Sequence, residues 1–97
     1  MKVFLLFTGS GPLVIATSHD SIESPALLEK LASKGIVKFI AHEMPGDLVK
    51  ARYHGQFEAA LRALYESDDL RVLDYDGHRA FSLFRFDELG PEVLHEP

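Results

Sequence analysis

The sequence has no cysteine, and this absence excludes several kinds of site before any pattern is considered. Disulfide bonds, thiolate nucleophiles, iron–sulfur clusters and cysteine-based zinc sites all require a sulfur atom that this chain does not contain. The sequence predicts no cofactor, and no residue is assigned as a metal ligand.

Basic residues are few compared with acidic ones. The chain has 10 lysines and arginines against 15 aspartates and glutamates, which gives a net charge of −5 and a pI near 5.4. General affinity for nucleic-acid phosphates requires a clustered basic surface, so we predict no nucleic-acid partner. The acidic balance mainly favours solubility.

Long hydrophobic runs are missing as well. The longest uninterrupted apolar runs are residues 3–7 and 13–16, far below the ~20 residues that a membrane-spanning helix needs. Residues 1–2 lead directly into the first run, without the small-residue cleavage site of a signal peptide. We therefore expect no membrane partner and a cytoplasmic location.

The chain length predicts one domain covering residues 1–97. With 97 residues and a mass of 10.8 kDa, two cores would each have too few residues to fold unaided. Hydrophobic residues make up 46% of the chain, which is typical of a globular protein and not of a disordered one. Only the polar C-terminal tail, from about residue 88, is expected to fray.

Two runs of β-forming residues, 3–7 and 13–17, flank the segment Thr8-Gly9-Ser10-Gly11-Pro12. This pattern predicts a first β-hairpin. Neither run alternates between polar and apolar residues, which is typical of strands that are covered on both faces. The two glycines predict a connecting loop that is longer and looser than the Asp76-Gly77 turn further along the chain, and the register of the hairpin is not fixed.

A first helix is predicted after Ser24 and Pro25, which suit the N-cap and the first helical position. Gly35 suits the left-handed residue that ends a helix, and residues 36–42 then predict a third strand. The buried stripe of this helix is formed by leucines at helical spacing: Leu27, Leu28 and Leu31.

A second helix is predicted after Pro45-Gly46-Asp47, where Asp47 suits the positive end of the helix dipole. Gly55 interrupts the helix, so we expect a kink or two helical pieces at His54-Gly55. The apolar positions recur at helical spacing and are Val49, Tyr53, Phe57, Ala60, Leu61 and Leu64.

Residues 70–86 predict a second β-hairpin around Asp76-Gly77. This dipeptide is favoured in type I′ turns, in which both central residues have positive φ. The register of that turn places apolar residues on both faces of the hairpin.

Together, these elements occur in the order β-β-α-β-α-β-β and predict an α+β fold with two layers. The expected architecture is a five-stranded mixed sheet with two helices packed on one face. The other face would be apolar and uncovered, and soluble monomers rarely tolerate such a patch. We therefore predict a homodimer through the sheet, with a sheet curled around its own core as the alternative.

Ser10 is a candidate ligand-binding residue. The loop that contains it can present backbone N–H groups and a hydroxyl to an anion, as nests do. The loop lacks the Gly-Lys-Ser/Thr and Gly-x-Gly-x-x-Gly patterns of phosphate-binding loops, and a strand follows Pro12 where those folds have a helix. This favours a hairpin loop without a ligand.

His19-Asp20 and His42-Glu43 are the remaining candidate ligand-binding residues, and each pair follows or ends a predicted strand. Adjacent residues on an extended chain point in opposite directions, so neither pair is a dyad by itself. If the second and third strands were parallel neighbours, His19 and His42 would meet at one end of the sheet and form an acid/base pair or a metal site. The competing interpretation is that all four side chains are simply solvated.

Two functional hypotheses follow, and the sequence leaves open whether the protein is an enzyme. The first is a small cytoplasmic binding or regulatory module, non-catalytic and homo-oligomeric, with a protein or small-molecule partner. The alternative is a small enzyme or metal-dependent protein with a His/Asp/Glu site at one end of the sheet.

Overall fold

The computed structural model describes residues 1–66 and 69–97. The strands in this part of the chain are β1 (Lys2–Thr8), β2 (Gly11–Thr17), β3 (Phe39–Met44), β4 (Leu70–Asp74) and β5 (Glu92–His95). The helices are α1 (Pro25–Ser33), α2 (Gly46–Tyr53), α3 (Gly55–Glu66), α4 (His78–Leu83) and a short 3₁₀ helix (Phe86–Glu88).

The five strands form one sheet in the order β4-β2-β1-β3-β5, and each neighbouring pair is antiparallel. The predicted first hairpin is confirmed as β1 and β2, and its turn is tighter than the glycines suggested. Thr8 lies opposite Gly11, so only Gly9 and Ser10 connect the strands. The Thr8 hydroxyl donates to the Gly11 carbonyl at 2.8 Å and accepts from the Ser10 amide at 3.1 Å, which fixes the register.

The central strand β1 is buried on both of its faces, as its unbroken apolar run predicts. On one face, Phe4 and Leu6 pack with Leu27 and Leu31 of α1. This helix begins at Pro25 as predicted, and Gly35 just beyond it has φ of +83°.

The opposite face of the sheet packs against α2, α3 and α4. Val3 and Leu5 share one cluster with Val49 and Tyr53 of α2, and helices α3 and α4 add Ala60 and Ala80 to it. The predicted break at His54-Gly55 is confirmed, because α2 ends at Tyr53 and α3 starts at Gly55. Between them His54 has φ of +41°, which redirects the chain.

The predicted α+β class, with a five-stranded sheet and helices, is confirmed. Two details of the arrangement differ from the prediction. The strand pairs are antiparallel and not mixed, and α1 lies on the opposite face from α2, α3 and α4. The physical reason is that β1 needs apolar cover on both faces, and helices of the same chain provide it.

The prediction of a second hairpin over residues 70–86 is wrong. Its first half is β4, but its second half contains α4. Ala80 and Phe84, one helical turn apart, both face the core, so the apolar pattern suits a helix as well as a strand. Asp76 helps to start the helix by accepting a hydrogen bond from the His78 amide at 2.9 Å. Gly77 does have positive φ, +65°, as predicted.

The C-terminal tail is ordered where fraying was expected. Residues Glu92–His95 form β5, which pairs with β3 so that Glu92 lies opposite His42. The Gly90 amide also donates to the Glu43 carbonyl at 2.8 Å. The tail thereby satisfies hydrogen-bonding groups on what would otherwise be a free strand edge. No helix in the described residues is both long enough and apolar enough to cross a bilayer.

Candidate functional site

Ser10 lies in the turn between β1 and β2 and lines a cleft of about 620 Å³ at that end of the sheet. The connection between α1 and β3 forms the opposite wall, and Tyr75 and Leu94 also line the cleft. The structure thus places one predicted ligand-binding residue at a concave surface. Its role there stays a prediction.

The walls of the cleft are mainly apolar. Tyr75 is 84% exposed and Leu94 is 53% exposed, so both side chains present apolar surface to the cleft. The polar groups comprise the hairpin turn, Lys34 and Lys38. The apolar lining residues are Phe7, Pro12, Leu13, Ile36, Val37, Phe39, Ile40, Tyr75 and Leu94.

His42 lies on β3, opposite Leu5, with its side chain buried on the face that α2 and α4 cover. Its Nδ1 donates a hydrogen bond to the Gly90 carbonyl at 2.9 Å. Its ring meets the Phe7 and Phe86 rings edge to face, with centroid distances of 6.0 and 5.4 Å. These contacts give His42 a packing role in holding the C-terminal segment against the sheet.

His19 lies in the loop after β2 and is the centre of a hydrogen-bond chain. Its Nε2 donates to Asp69 Oδ2 at 2.8 Å, and its Nδ1 accepts from the Ser24 hydroxyl at 3.2 Å. The other oxygen of Asp69 accepts from Lys30 of α1. The hydrogen bonds from Lys30 and His19 hold the pKa of the Asp69 carboxyl below its ordinary value, so Asp69 is anionic at neutral pH.

The backbone of Asp69 is fixed as firmly as its side chain. Its carbonyl accepts from the Thr17 hydroxyl at 2.6 Å and from the Ser18 amide at 3.3 Å. The Thr17 hydroxyl in turn accepts from the His19 amide at 3.1 Å. The end of β2 and the start of β4 therefore hold the imidazole and the carboxylate in a defined geometry.

Asp20 and Glu43 line a second, smaller cleft of about 190 Å³, on the sheet face that α1 covers. Glu43 Oε1 lies 2.7 Å from Lys2 Nζ, and both side chains are more than 40% exposed. The hydrogen bond that Lys2 donates to Glu43, with the charges of Glu43 and Asp20, raises the pKa of Lys2. The structure thus brings these two predicted residues together around a lysine.

The structure does not bring His19 and His42 together. The second and third strands are not neighbours, because β1 lies between them. Both histidines lie towards the same end of the sheet, since Thr17 is opposite Lys2 and Met44 is opposite Val3. His42, however, packs under the α2 and α4 face, whereas His19 binds the N-terminus of α1 and the residue before β4. An acid/base pair formed by the two is not supported.

The described residues also contain no group of three or more histidine, aspartate or glutamate side chains placed to hold a metal ion. Sequence reasoning missed Ser24, Asp69 and Lys30 as members of a polar cluster. Ser24 suited an N-cap, yet its hydroxyl makes no capping hydrogen bond and binds His19 instead. Asp69 is 50 residues from His19, and no local spacing signals that contact.

Comparisons of the chain with protein-family models, with curated proteins and with solved structures give no match.

Proposed function

We propose that this protein is a small cytoplasmic binding module that takes up a small organic anion with an apolar body in the cleft around Ser10. The observation that carries the proposal is the cleft itself. Its volume of about 620 Å³ falls in the range of roughly 300–1,000 Å³ that is usual for small-molecule sites. The lining is mainly apolar and includes no histidine, aspartate or glutamate, which supports binding as the proposed role of the cleft.

The chemistry of the walls selects the ligand class. Tyr75, Val37 and Leu94 offer exposed apolar surface to the body of a ligand. Lys34 makes no ion pair within the described residues, and its charge is available to an anionic group. Lys38 pairs with Glu96 at 3.2 Å, but both side chains are more than half exposed. Such a pair contributes little, so a bound anion can replace Glu96.

The fluorescent probe 1-anilinonaphthalene-8-sulfonate tests this proposal, because it joins two aromatic groups to one sulfonate. We expect saturable binding to the folded protein, weakened several-fold by Tyr75→Ala and by Lys34→Glu. Tyr65→Ala is the matched control, since Tyr65 is also 84% exposed but lies on α3, outside the cleft. Lys50→Glu is the charge control on α2.

Circular dichroism of each variant verifies the native fold before titration, because the probe also binds partly unfolded chains. Equal affinities for the cleft variants and their controls would show that the probe does not bind in the cleft. Loss of binding in all four variants alike would indicate general surface adsorption. Either result would contradict the proposal.

Self-association through the sheet stays a prediction, and the structure changes where the contact would occur. The prediction assumed an uncovered face, but apolar residues on both faces of β1 pack against helices. Among the described strands, β4 and β5 each have one hydrogen-bonded neighbour, so their outer edges remain open. A homodimer through this sheet would therefore join edge strands and not faces.

The alternative hypothesis of an enzyme with a His/Asp/Glu site now depends on His19. Asp20 and Glu43 lie together, but His42 is engaged in packing. His19 has a carboxylate partner that the sequence did not indicate, Asp69.

A further inference from the structure

Ser24, His19 and Asp69 form a continuous hydrogen-bond chain of hydroxyl, imidazole and carboxylate. We propose that Ser24 is an activated nucleophile that accepts the acyl group of small activated esters. In this assignment His19 is the general base and Asp69 is the positioning residue that orients the imidazole. The site is separate from the cleft around Ser10, none of whose lining residues takes part.

The position of each proton follows from the charge on Asp69. An anionic carboxylate only accepts hydrogen bonds, so His19 Nε2 carries the proton of the 2.8 Å contact. In neutral imidazole the other nitrogen is then an acceptor, and Nδ1 receives the Ser24 hydroxyl proton at 3.2 Å. A nucleophile within hydrogen-bond reach of a base that a third group orients is the signature of covalent catalysis. The two nitrogens exchange the roles they have in serine proteases.

Ser24 is held in place by its backbone. Its amide donates to the Ser21 carbonyl at 3.2 Å, and its carbonyl accepts from the Leu28 amide at 2.9 Å. Its hydroxyl is therefore not required to fix the start of α1 and makes no capping contact. The side chains of His19 and Asp69 are 23% and 30% exposed, so these hydrogen-bonded groups are accessible to solvent and to a small ester.

The acyl-transfer step balances without a cofactor. Ser24 Oγ attacks the ester carbonyl carbon while its proton passes to His19 Nδ1, and a new C–O bond forms. The bond from that carbon to the leaving oxygen breaks, its electron pair stays on the leaving oxygen, and His19 returns the proton there.

A purely structural role predicts the same contacts, because they also fasten the loop after β2 to the start of β4. Stability measurements therefore do not separate the two roles. Reactivity does, and the absence of cysteine makes the comparison clean, since one introduced thiol is then the sole thiol in the chain.

The first experiment compares Ser24→Cys with Ser21→Cys. Ser21 is a neighbour in the same loop, and its hydroxyl accepts a hydrogen bond from the Glu23 amide. Alkylation by iodoacetamide is measured from pH 5 to pH 9. We expect the thiol from Ser24→Cys to react about tenfold faster at neutral pH. In the double variant Ser24→Cys/His19→Asn, which keeps Asp69 and Lys30, the thiol should react at the same rate as the thiol of Ser21→Cys. Equal rates for the two thiols would overturn the proposal.

The second experiment incubates the unmodified protein with p-nitrophenyl acetate and locates the acetyl group by peptide mass spectrometry. Acetylation of Ser24 is expected, falling about tenfold or more in His19→Asn and unchanged in Ser21→Ala. Acetyl groups confined to lysine side chains would overturn the proposal. Folding of each variant is verified by circular dichroism. Asp69→Asn keeps the shape of the side chain but removes its charge, and it should also reduce acetylation of Ser24.

Discussion

Gly77 is the residue at which backbone conformation and packing both require glycine. Its φ of +65° disfavours any side chain, and an added Cβ would lie 2.3 Å from the carbonyl carbon of Pro12. Backbone atoms of β2 cannot move aside as a flexible side chain would. The strain at positive φ and the contact with β2 therefore add to each other.

We expect Gly77→Ala to lower the free energy of unfolding by more than about 2 kcal/mol. Gly35→Ala is the control for strain alone, because Gly35 has φ of +83° but open space around a Cβ. It should cost about 1 kcal/mol. Gly9→Ala meets neither obstacle and should be nearly neutral. Urea denaturation measures all three, and equal losses for Gly77→Ala and Gly35→Ala would contradict the close packing against Pro12.

Tyr53 is buried, and its hydroxyl makes no hydrogen bond within the described residues. Burial, with the nearby charge of Asp74, raises the pKa of Tyr53 to about 12 from its ordinary 10.0. A raised pKa means that the folded state holds this proton more tightly than the unfolded state. The stability that the protonated Tyr53 hydroxyl contributes is thus complete below pH 10 and is lost as the pH rises towards 12.

Tyr53→Phe should therefore unfold at higher pH than the parent protein in an alkaline titration. At neutral pH the variant should be as stable or slightly more stable, because it removes a buried hydroxyl without a partner. Tyr65→Phe, at an exposed position, is the control. A large loss of stability in Tyr53→Phe at neutral pH would show that the hydroxyl does have a partner.

Single residues show where prediction from sequence succeeded and where it could not. Gly35 has the positive φ that its neighbours implied, because helix-end geometry is encoded within a few residues. Gly77 also has positive φ, but as the residue before α4 and not in the predicted type I′ turn, since Asp76 does not share it. The partner of His19, in contrast, is not signalled by any residue close to it in the sequence. Asp69 reaches it only because β4 pairs with β2, which is a property of the whole sheet.

At the scale of elements, α2 is tied to the C-terminal segment by Arg52. Its guanidinium donates twice to Glu88, at 3.0 and 2.7 Å, and once to the Leu83 carbonyl at 2.6 Å. The guanidinium also lies 4.8 Å from the centre of the Phe84 ring. The hydrogen bonds from Arg52, with one from the Arg85 amide, lower the pKa of Glu88 to about 2 from its ordinary 4.5.

Because the pKa of Glu88 is lower in the folded state, its ionisation stabilises the fold at every pH above the ordinary pKa of 4.5. This stability is lost as the pH falls through the folded-state pKa of about 2. Glu88→Gln should thus be less stable than the parent at neutral pH, and the difference should shrink as the pH falls from 4.5 to 2. Asp87→Asn is the control, because the Asp87–Arg85 pair is more than 70% exposed on both sides. A constant difference between Glu88→Gln and the parent across that range, in thermal unfolding, would rule out Glu88 ionisation as its cause.

The elements also show why one hairpin was predicted correctly and the other was not. The apolar runs at residues 3–7 and 13–16 are short and are separated by Gly9, Gly11 and Pro12, which favours strands over helices. In residues 78–84 the apolar positions fit the spacing of a helix as well as that of a strand. The helix forms because it brings Ala80 and Phe84 into contact with the core. The strand β5 was missed because its short polar sequence forms a strand only when the edge of β3 is available.

At the scale of the whole molecule, the predicted homodimer has a direct measurement. A chain of 10.8 kDa should elute with twice that mass in gel filtration coupled to light scattering, with the dimer fraction rising through the micromolar range. Edge-to-edge pairing is sensitive to charge, so Leu94→Lys on β5, where the side chain is 53% exposed, should favour the monomer, with Tyr65→Lys on α3 as control. A mass of 10.8 kDa at all concentrations would end the dimer hypothesis.

The strand order β4-β2-β1-β3-β5 has a further consequence for how the chain reaches this fold. The first of the five strands in chain order, β1, lies at the centre, and β2 pairs with one side of it through a two-residue turn. Each later strand then adds to an edge that already exists: β3 beside β1, β4 beside β2, and β5 beside β3. No strand has to insert between two others, so the sheet can grow outwards one strand at a time.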